Sequence, residues 1–180
     1  MGKGTIASRL VAEDDRLSLS RSWTTRAPRA GEHGDEYVFV TREAFEAAID
    51  DGFFLEWAQF QGNLYGTPRP DPHVVRDVLL EIEVQGAEQV RREHPDAAIF
   101  LVLAPSMEQL EQRLRGRGDG DEHVQRRLAS TPSELARGRA LADYVIINDD
   151  LERATRQILS ILEGLRRSPR TPSTKETTHG

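Results

Sequence analysis

Two stretches, "VLLEIEV" at residues 78–84 and "AIFLVL" at residues 98–103, are nearly continuous apolar runs. Strands buried on both faces read this way, and such strands belong to parallel sheets covered by helices. Residues 85–93 between them suit a connecting helix, and Ser106-Met-Glu-Gln109 just beyond is a capping box that opens another. The order is therefore β-α-β-α. "YVIIN" (144–148) supplies a further buried strand. The last helix carries Leu151, Ala154, Ile158, Ile161, Leu162 and Leu165 on one stripe, with Asp149 or Asp150 as its cap. The fold class expected is α/β, a parallel sheet flanked by helices.

Outward from this centre the texture changes. Ile6, Leu10 and Val11 repeat at helical spacing over 5–12, and Leu17-Ser-Leu-Ser20 alternates like a short strand. "RSWTTRAPRAGEHGD" (21–35) reads as loop. Tyr37 to Val40 reads as strand, and Thr41 caps a helix with Phe45, Ala48 and Ile49 on its apolar side. "FFLEWAQF" (53–60) alternates like a strand, and "GNLYGTPRPDP" (62–72) reads as loop. Thr131-Pro-Ser-Glu134 is itself a good helix start, so a kink or restart is expected there within 121–141. The tail from 167 to 180 has almost no apolar content, and disorder is expected of it.

The 180 residues, 37% hydrophobic and 30% charged, fit one domain with a single core, here 1–166. With no cysteine, disulfides and thiolate metal sites are excluded, and a reducing compartment fits. Residues 1–16 mix charged and apolar side chains and do not make a signal peptide, and no run is long enough to span a membrane. Cytoplasmic location is the expectation. A formal charge of -6 argues against a nucleic-acid partner, yet arginines crowd into 21–29 and 113–127. Positive patches in an acidic protein suggest a small anionic ligand.

Five constellations carry chemistry. Gly2-Lys3-Gly4-Thr5 runs into a helix, where backbone N–H groups and a lysine can meet phosphates, although four letters alone are a weak signal. Arg26 and Arg29 lie among hydroxyl side chains. A solvated loop is the usual home of two arginines, but the flanking Ser/Thr run together with Tyr37 and Tyr65 tilts the balance toward bidentate binding of a monophosphate. Glu56 either faces solvent from its strand or accepts the N1–H and N2–H₂ of a guanine; spacing alone favours solvent. Glu81 and Glu83 fall on one face near the carboxyl end of a buried strand, where α/β proteins place ligands, and two such carboxylates need a cation, base edge or arginine nearby. Arg113, Arg117, Arg126 and Arg127 surround a Gly-rich segment, the composition of either a lid over a transferring phosphoryl group or an exposed corner.

In this order the segments resemble guanylate kinase, the nucleoside monophosphate kinase that moves a phosphoryl group from ATP to GMP. The resemblance runs from Gly2 to about Leu165. It rests on Ser20-Arg-Ser22-Trp-Thr-Thr-Arg26-Ala-Pro-Arg29-Ala-Gly-Glu32, Phe54-Leu-Glu56-Trp57, Gly62-Asn-Leu-Tyr65-Gly-Thr67, Leu80-Glu81-Ile-Glu83-Val-Gln-Gly86, Arg113-Leu-Arg-Gly-Arg117-Gly and Asn148-Asp-Asp-Leu151.

The resemblance implies a P-loop kinase core, a GMP-binding insertion over about 21–75 and a small lid over about 113–130. It implies that Arg26, Arg29, Tyr37 and Tyr65 hold the GMP phosphate, while Ser22, Glu56, Thr67 and Glu83 read guanine. Gly2, Lys3, Gly4 and Thr5 would serve ATP, with Thr5 on Mg²⁺ and Asn148 beside the adenine. Lys3, Arg26, Arg113, Arg117 and Arg127 would form the catalytic set. The family's scaffold relatives imply the alternative of a non-catalytic module binding GMP or a protein. Glu83 stands where the family usually has Asp, and the loop between Gly31 and Tyr37 is one residue shorter than usual. "MGKGT" looks like the second half of a phosphate loop, so the expectation is that a central strand and Gly-x-x-Gly belong upstream and that activity without them is impaired.

Overall fold

A computed structural model describes residues 2–28, 37–73, 75–116 and 120–168. Its elements in chain order are α1 (Lys3–Glu13), β1 (Leu17–Leu19), β2 (Ser22–Thr24), β3 (Tyr37–Phe39), α2 (Arg42–Asp50), β4 (Phe54–Phe60), β5 (Asn63–Pro68) and β6 (Asp77–Leu79). Then come α3 (Val84–Glu93), β7 (Phe100–Leu103), α4 (Met107–Arg115), α5 (Asp121–Leu141), β8 (Tyr144–Ile147) and α6 (Leu151–Arg167).

The parallel part consists of two pairs, β1 with β6 and β7 with β8. Helices α1 and α6 close over them through Ile6, Leu10, Leu17, Val102, Ile146 and Ile158, all nearly inaccessible. The apolar stripe expected of α6 supplies this contact. Asp150 caps that helix by accepting from the Arg153 N–H, and Ser106 caps α4 in the same way from Gln109.

A second sheet, ordered β3-β2-β5-β4, is mixed. Its core is the stacked pair Phe45 and Phe54, 4.5 Å between ring centroids, packed with Leu64 and flanked by Trp23. A Cβ on Gly66 would fall 2.8 Å from both rings, so this strand position has room only for hydrogen. Thr41 caps α2 as expected, its hydroxyl accepting from the Ala44 N–H.

Four sequence expectations are corrected. Residues 22–24 form a strand within the stretch expected to be loop: parallel to β3 and antiparallel to β5, they find partners on both sides. Residues 63–68 are likewise a strand. Gln61 (φ 49°) and Gly62 (φ 83°) make a two-residue left-handed turn, the geometry that joins twisted antiparallel strands, and β5 folds back on β4. The strand expected over 78–84 stops at Leu79, where its register with β1 ends; 80–83 continue outside any ladder and α3 starts at Val84. Helix α5 does not restart at Pro132. It runs unbroken, with the Thr131 and Ser130 hydroxyls both donating to the Arg127 carbonyl one turn back. The expected strand at 144–148 is present over β8, but Val145 and Ile147 point outward and only Ile146 is fully buried. The expected tail disorder falls almost wholly on residues outside those described.

Candidate functional site

Strand β4 carries the first carboxylate. Its register with β5 shifts between Phe54 and Glu56, so the residues from Phe54 to Glu56 are all buried and alternation resumes only after them. Glu56 is 4% exposed. The solvent-facing position that spacing favoured is thus overturned: Glu56 keeps step with buried Ala58, and its neighbour Trp57 is the one that faces outward.

On β5, Thr67 donates its hydroxyl to Glu56 Oε1 at 2.5 Å, the length of a charge-assisted bond, and the Ser22 hydroxyl on β2 lies 3.4 Å from that of Thr67. Behind the carboxylate is Gly86 of α3: a Cβ there would fall 2.0 Å from Glu56 Oε2. Ser22, Glu56 and Thr67 therefore form one buried polar chain seated on a glycine. Burial raises the Glu56 carboxyl above its ordinary value, more than the bonds from Thr67 lower it, and the charge of Glu83 adds to the rise.

Glu83 sits at the N-cap of α3 and not on a strand, since β6 ended before it. Its Oε1 accepts from Lys3 Nζ at 3.0 Å, and its Oε2 lies 3.7 Å from Arg127 Nη2. Desolvation pushes this carboxyl up, but Lys3 and Arg127 outweigh it and the net direction is down. Lys3 Nζ also donates to the Ile82 carbonyl at 3.1 Å. The cation expected beside the carboxylates is therefore the lysine at the start of α1. Glu81 approaches α1 as well: a Cβ on Gly4 would come 3.0 Å from its Oε2, and one small cleft joins Gly4, Ser22, Tyr37 and Glu81.

Gly2 is the N-cap of α1 with φ 77° and ψ 23°, a left-handed conformation that only glycine adopts without strain. A Cβ would fall 2.7 Å from Asn148 Nδ2. Asn148 is itself buried, anchored by its backbone N–H to the Leu103 carbonyl, and its own carbonyl accepts from Arg113 Nη2 at 2.9 Å. Arg113 and Asn148 thus stand beside the first turn of α1. Thr5 lies exposed on that turn.

The remaining candidates form two groups. Arg26 lies over Tyr37 and Phe39, its guanidinium carbon 5.6 Å from each ring centroid, and Tyr37 meets Tyr65 edge-on at 6.2 Å. Arg127 is buried, with its guanidinium carbon 4.5 Å from the Phe60 centroid and Nη1 3.3 Å from Glu134. Arg29 and Arg117 lie outside the described residues. Sequence reasoning assigned no role to Gly86, Phe60 or Glu134. Gly86 could have been found from its position three residues past Glu83 in a motif already singled out; Phe60 and Glu134 carried no local signal.

Among the described residues no cluster of three or more His, Cys, Asp or Glu could hold a metal ion, and no helix is long and apolar enough to cross a membrane.

Comparison with known proteins gives a consistent result. The family model described as guanylate kinase matches residues 1–165. The chain is 46% identical over 171 residues to a guanylate kinase of Parasynechococcus marenigrum, covering 92% of this chain and 91% of the relative. It is 45% identical over 170 residues to one of Rubrobacter xylanophilus, covering 89% and 87%. Among solved structures, the guanylate kinase of Anaplasma phagocytophilum superposes with a TM-score of 0.74 at 33% identity, covering 90% of this chain and 81% of that one.

Proposed function

The chain belongs to the guanylate kinase family, ATP-dependent phosphotransferases that convert GMP to GDP, and from that premise we propose which of its residues perform the transfer. Ser22, Glu56, Thr67 and Glu83 read the guanine. The base offers N1–H and N2–H₂ as donors, and a carboxylate accepts both, whereas adenine presents no such pair. Arg26, Arg29, Tyr37 and Tyr65 hold the GMP phosphate, the arginines bidentately and the phenols as single donors. All of these but Glu83 fall in an insertion over about 21–75, and a lid spans about 113–130.

Gly2, Lys3, Gly4 and Thr5 take the ATP phosphates at the positive end of α1, with Asn148 beside the adenine. The observation that carries this reading is the 3.0 Å contact between Lys3 and Glu83, which brings a phosphate-binding lysine against a base-reading carboxylate and so sets donor and acceptor sites side by side. The GMP phosphate is already an anion, so no general base is required. The protein's work is to align the nucleophile in line and to neutralise charge, with Arg113, Arg117 and Arg127 around the transferring group.

Mg²⁺ enters with ATP. The Thr5 hydroxyl and the Glu81 carboxylate flanking Gly4 are hard oxygen donors, which suits an ion that keeps most of its ligands from water and phosphate. Held there, the ion would supply Lewis-acid neutralisation of the phosphate oxygens. The cytoplasm is the proposed place of action, in keeping with a chain that carries no cysteine.

The test is ADP formation from ATP, Mg²⁺ and GMP, with AMP as control acceptor. Turnover with GMP and not AMP is expected. Equal turnover with AMP would overturn the guanine assignment, and GMP binding without turnover would restore the non-catalytic module, which the kinship above does not favour.

A further inference from the structure

Among the described residues β4 is the outer strand of its sheet, so the backbone groups on its side away from β5 have no ladder to join. At Trp57, next in the chain to Glu56, one side chain of α3 meets them. The Gln89 amide nitrogen donates to the Trp57 carbonyl at 2.6 Å, and the Gln89 amide oxygen accepts from the Trp57 N–H at 3.3 Å. The same nitrogen donates to the Gln85 carbonyl one turn back, at 3.3 Å. With both of its hydrogens and its oxygen engaged, the amide has one orientation. Gln89 thus serves Trp57 as a residue of a neighbouring strand would.

The face of α3 that grips Trp57 also seats Glu56. Gly86 precedes Gln89 by three residues and therefore lies on the same side of the helix, and a Cβ there would fall 2.0 Å from Glu56 Oε2. Successive residues of the strand are held by successive positions of one helix face, the Glu56 side chain over a glycine and the Trp57 backbone by an amide. Farther along, Glu93 pairs with Arg69 at 2.7 Å, and Arg69 donates to the Gly52 and Phe53 carbonyls just ahead of β4. The register with β5 shifts just before Glu56, so the ladder on that side is irregular at the point where the carboxylate has to be placed.

We infer that Gln89 is a positioning residue for base recognition: by holding both backbone groups of Trp57 it sets the distance of β4 from α3, and with it the place of the Glu56 carboxylate. A carboxylate that must meet two N–H donors at once tolerates little displacement, whereas one that meets a single donor can follow it. Gln89 therefore governs the preference for a base that offers N1–H and N2–H₂ over one that offers N1–H alone. The inference rests on the assignment of Glu56 to guanine made above, and the experiment separates the failure of one from the failure of the other.

Calorimetric titration with GMP and with IMP, the same nucleotide without its 2-amino group, reads binding and needs no turnover. Four variants accompany the full chain. Gln89→Leu keeps a good helix former and removes both bonds to Trp57. Gln89→Glu has nearly the same shape but, ionised, can only accept, so it loses the Trp57 carbonyl. Glu93→Gln loosens the contact of the same helix with the same sheet away from Glu56, and Glu56→Gln removes the base-reading carboxylate. Gln89→Leu is expected to weaken GMP about tenfold, the scale of one hydrogen bond to a charged group, and IMP by about threefold or less. The preference for GMP falls accordingly, falls in the same direction for Gln89→Glu, and holds for Glu93→Gln. An unchanged preference in Gln89→Leu overturns the inference, and so does an equal loss in Glu93→Gln, because Gln89 would then only help to dock the helix. Should Gln89→Leu not fold, Gln89→Glu decides by the same two results. If Glu56→Gln loses the preference while the Gln89 variants keep it, the guanine assignment stands and the role of Gln89 is wrong. If Glu56→Gln keeps it, or the parent chain binds IMP as tightly as GMP, the assignment fails and the inference falls with it.

Discussion

Gly86→Ala sets two physical effects of opposite sign against each other. Gly86 lies inside α3 with no unusual backbone conformation, and replacing a helical glycine by alanine stabilises by about 1 kcal/mol on propensity alone. The structure predicts the reverse. A Cβ would fall 2.0 Å from Glu56 Oε2 and 2.8 Å from its Cδ, so the carboxylate must leave its seat. It is buried, and leaving means losing the Thr67 hydroxyl, a bond to a charged group worth about 1.5–3 kcal/mol. The balance is a loss of about 0.5–2 kcal/mol, a fall in Tm of about 1–8 °C at this chain length, where propensity alone gives a rise of about 2–4 °C. Calorimetry of the two proteins measures it, and GMP titration shows whether affinity falls with the displaced carboxylate. A Tm that rises would refute the seating of Glu56 on Gly86 and, with it, the buried polar chain from which guanine reading is argued.

Two further outcomes follow from the same site. Arg26→Ala is expected to weaken GMP binding by about 1.5–3 kcal/mol, the range for a hydrogen bond to a charged group, while changing Tm little because the side chain is only half-buried; unchanged GMP affinity by calorimetric titration would remove Arg26 from the phosphate site. Glu56 has its folded value raised by burial, so its contribution is fully present below the ordinary carboxylate value and is lost as pH rises through the raised one. The Tm of Glu56→Gln should therefore gain on that of the parent chain as pH climbs from about 4 towards 7, while its GMP affinity falls, because an amide cannot accept both guanine donors; a Tm gap that does not vary with pH would refute the sign.

The sequence made the helices and the parallel strands legible because their signals are local. The Thr41, Ser106 and Asp150 caps and the stripe of α6 all appear where the pattern put them. What it hid was decided across the chain. Strand β2 looks like loop because Ser, Trp and Thr beside a Pro/Gly stretch carry no period, and only β3 and β5 on either side make it a strand. Glu56 is misjudged because its apolar neighbours suggest that they face the core, whereas Trp57 faces out and Glu56 keeps step with buried Ala58, which only the pairing with β5 and the packing beneath it decide. Residues 80–83 fall outside a ladder for a related reason: apolar character gives a strand its burial, but hydrogen-bonded neighbours give it its length.

The two glutamates show why the chemistry of the candidate site resisted reading from sequence. By sequence, Glu56 and Glu83 are equivalent carboxylates set among apolar residues. In the fold, one is held by a neutral hydroxyl and burial raises it, while the other faces a lysine and an arginine and is lowered. Their environments push them apart, so Glu83 carries the charge more firmly and its field adds to the rise of Glu56. A base that brings two N–H donors relieves this, because donors stabilise the ionised form of Glu56 where Thr67 alone does not suffice. A base presenting acceptors in the same place would meet two negative carboxylates without donors of its own. On the proposed assignment, discrimination for guanine comes from the cost of leaving this carboxylate pair unsatisfied as much as from the bonds that guanine makes.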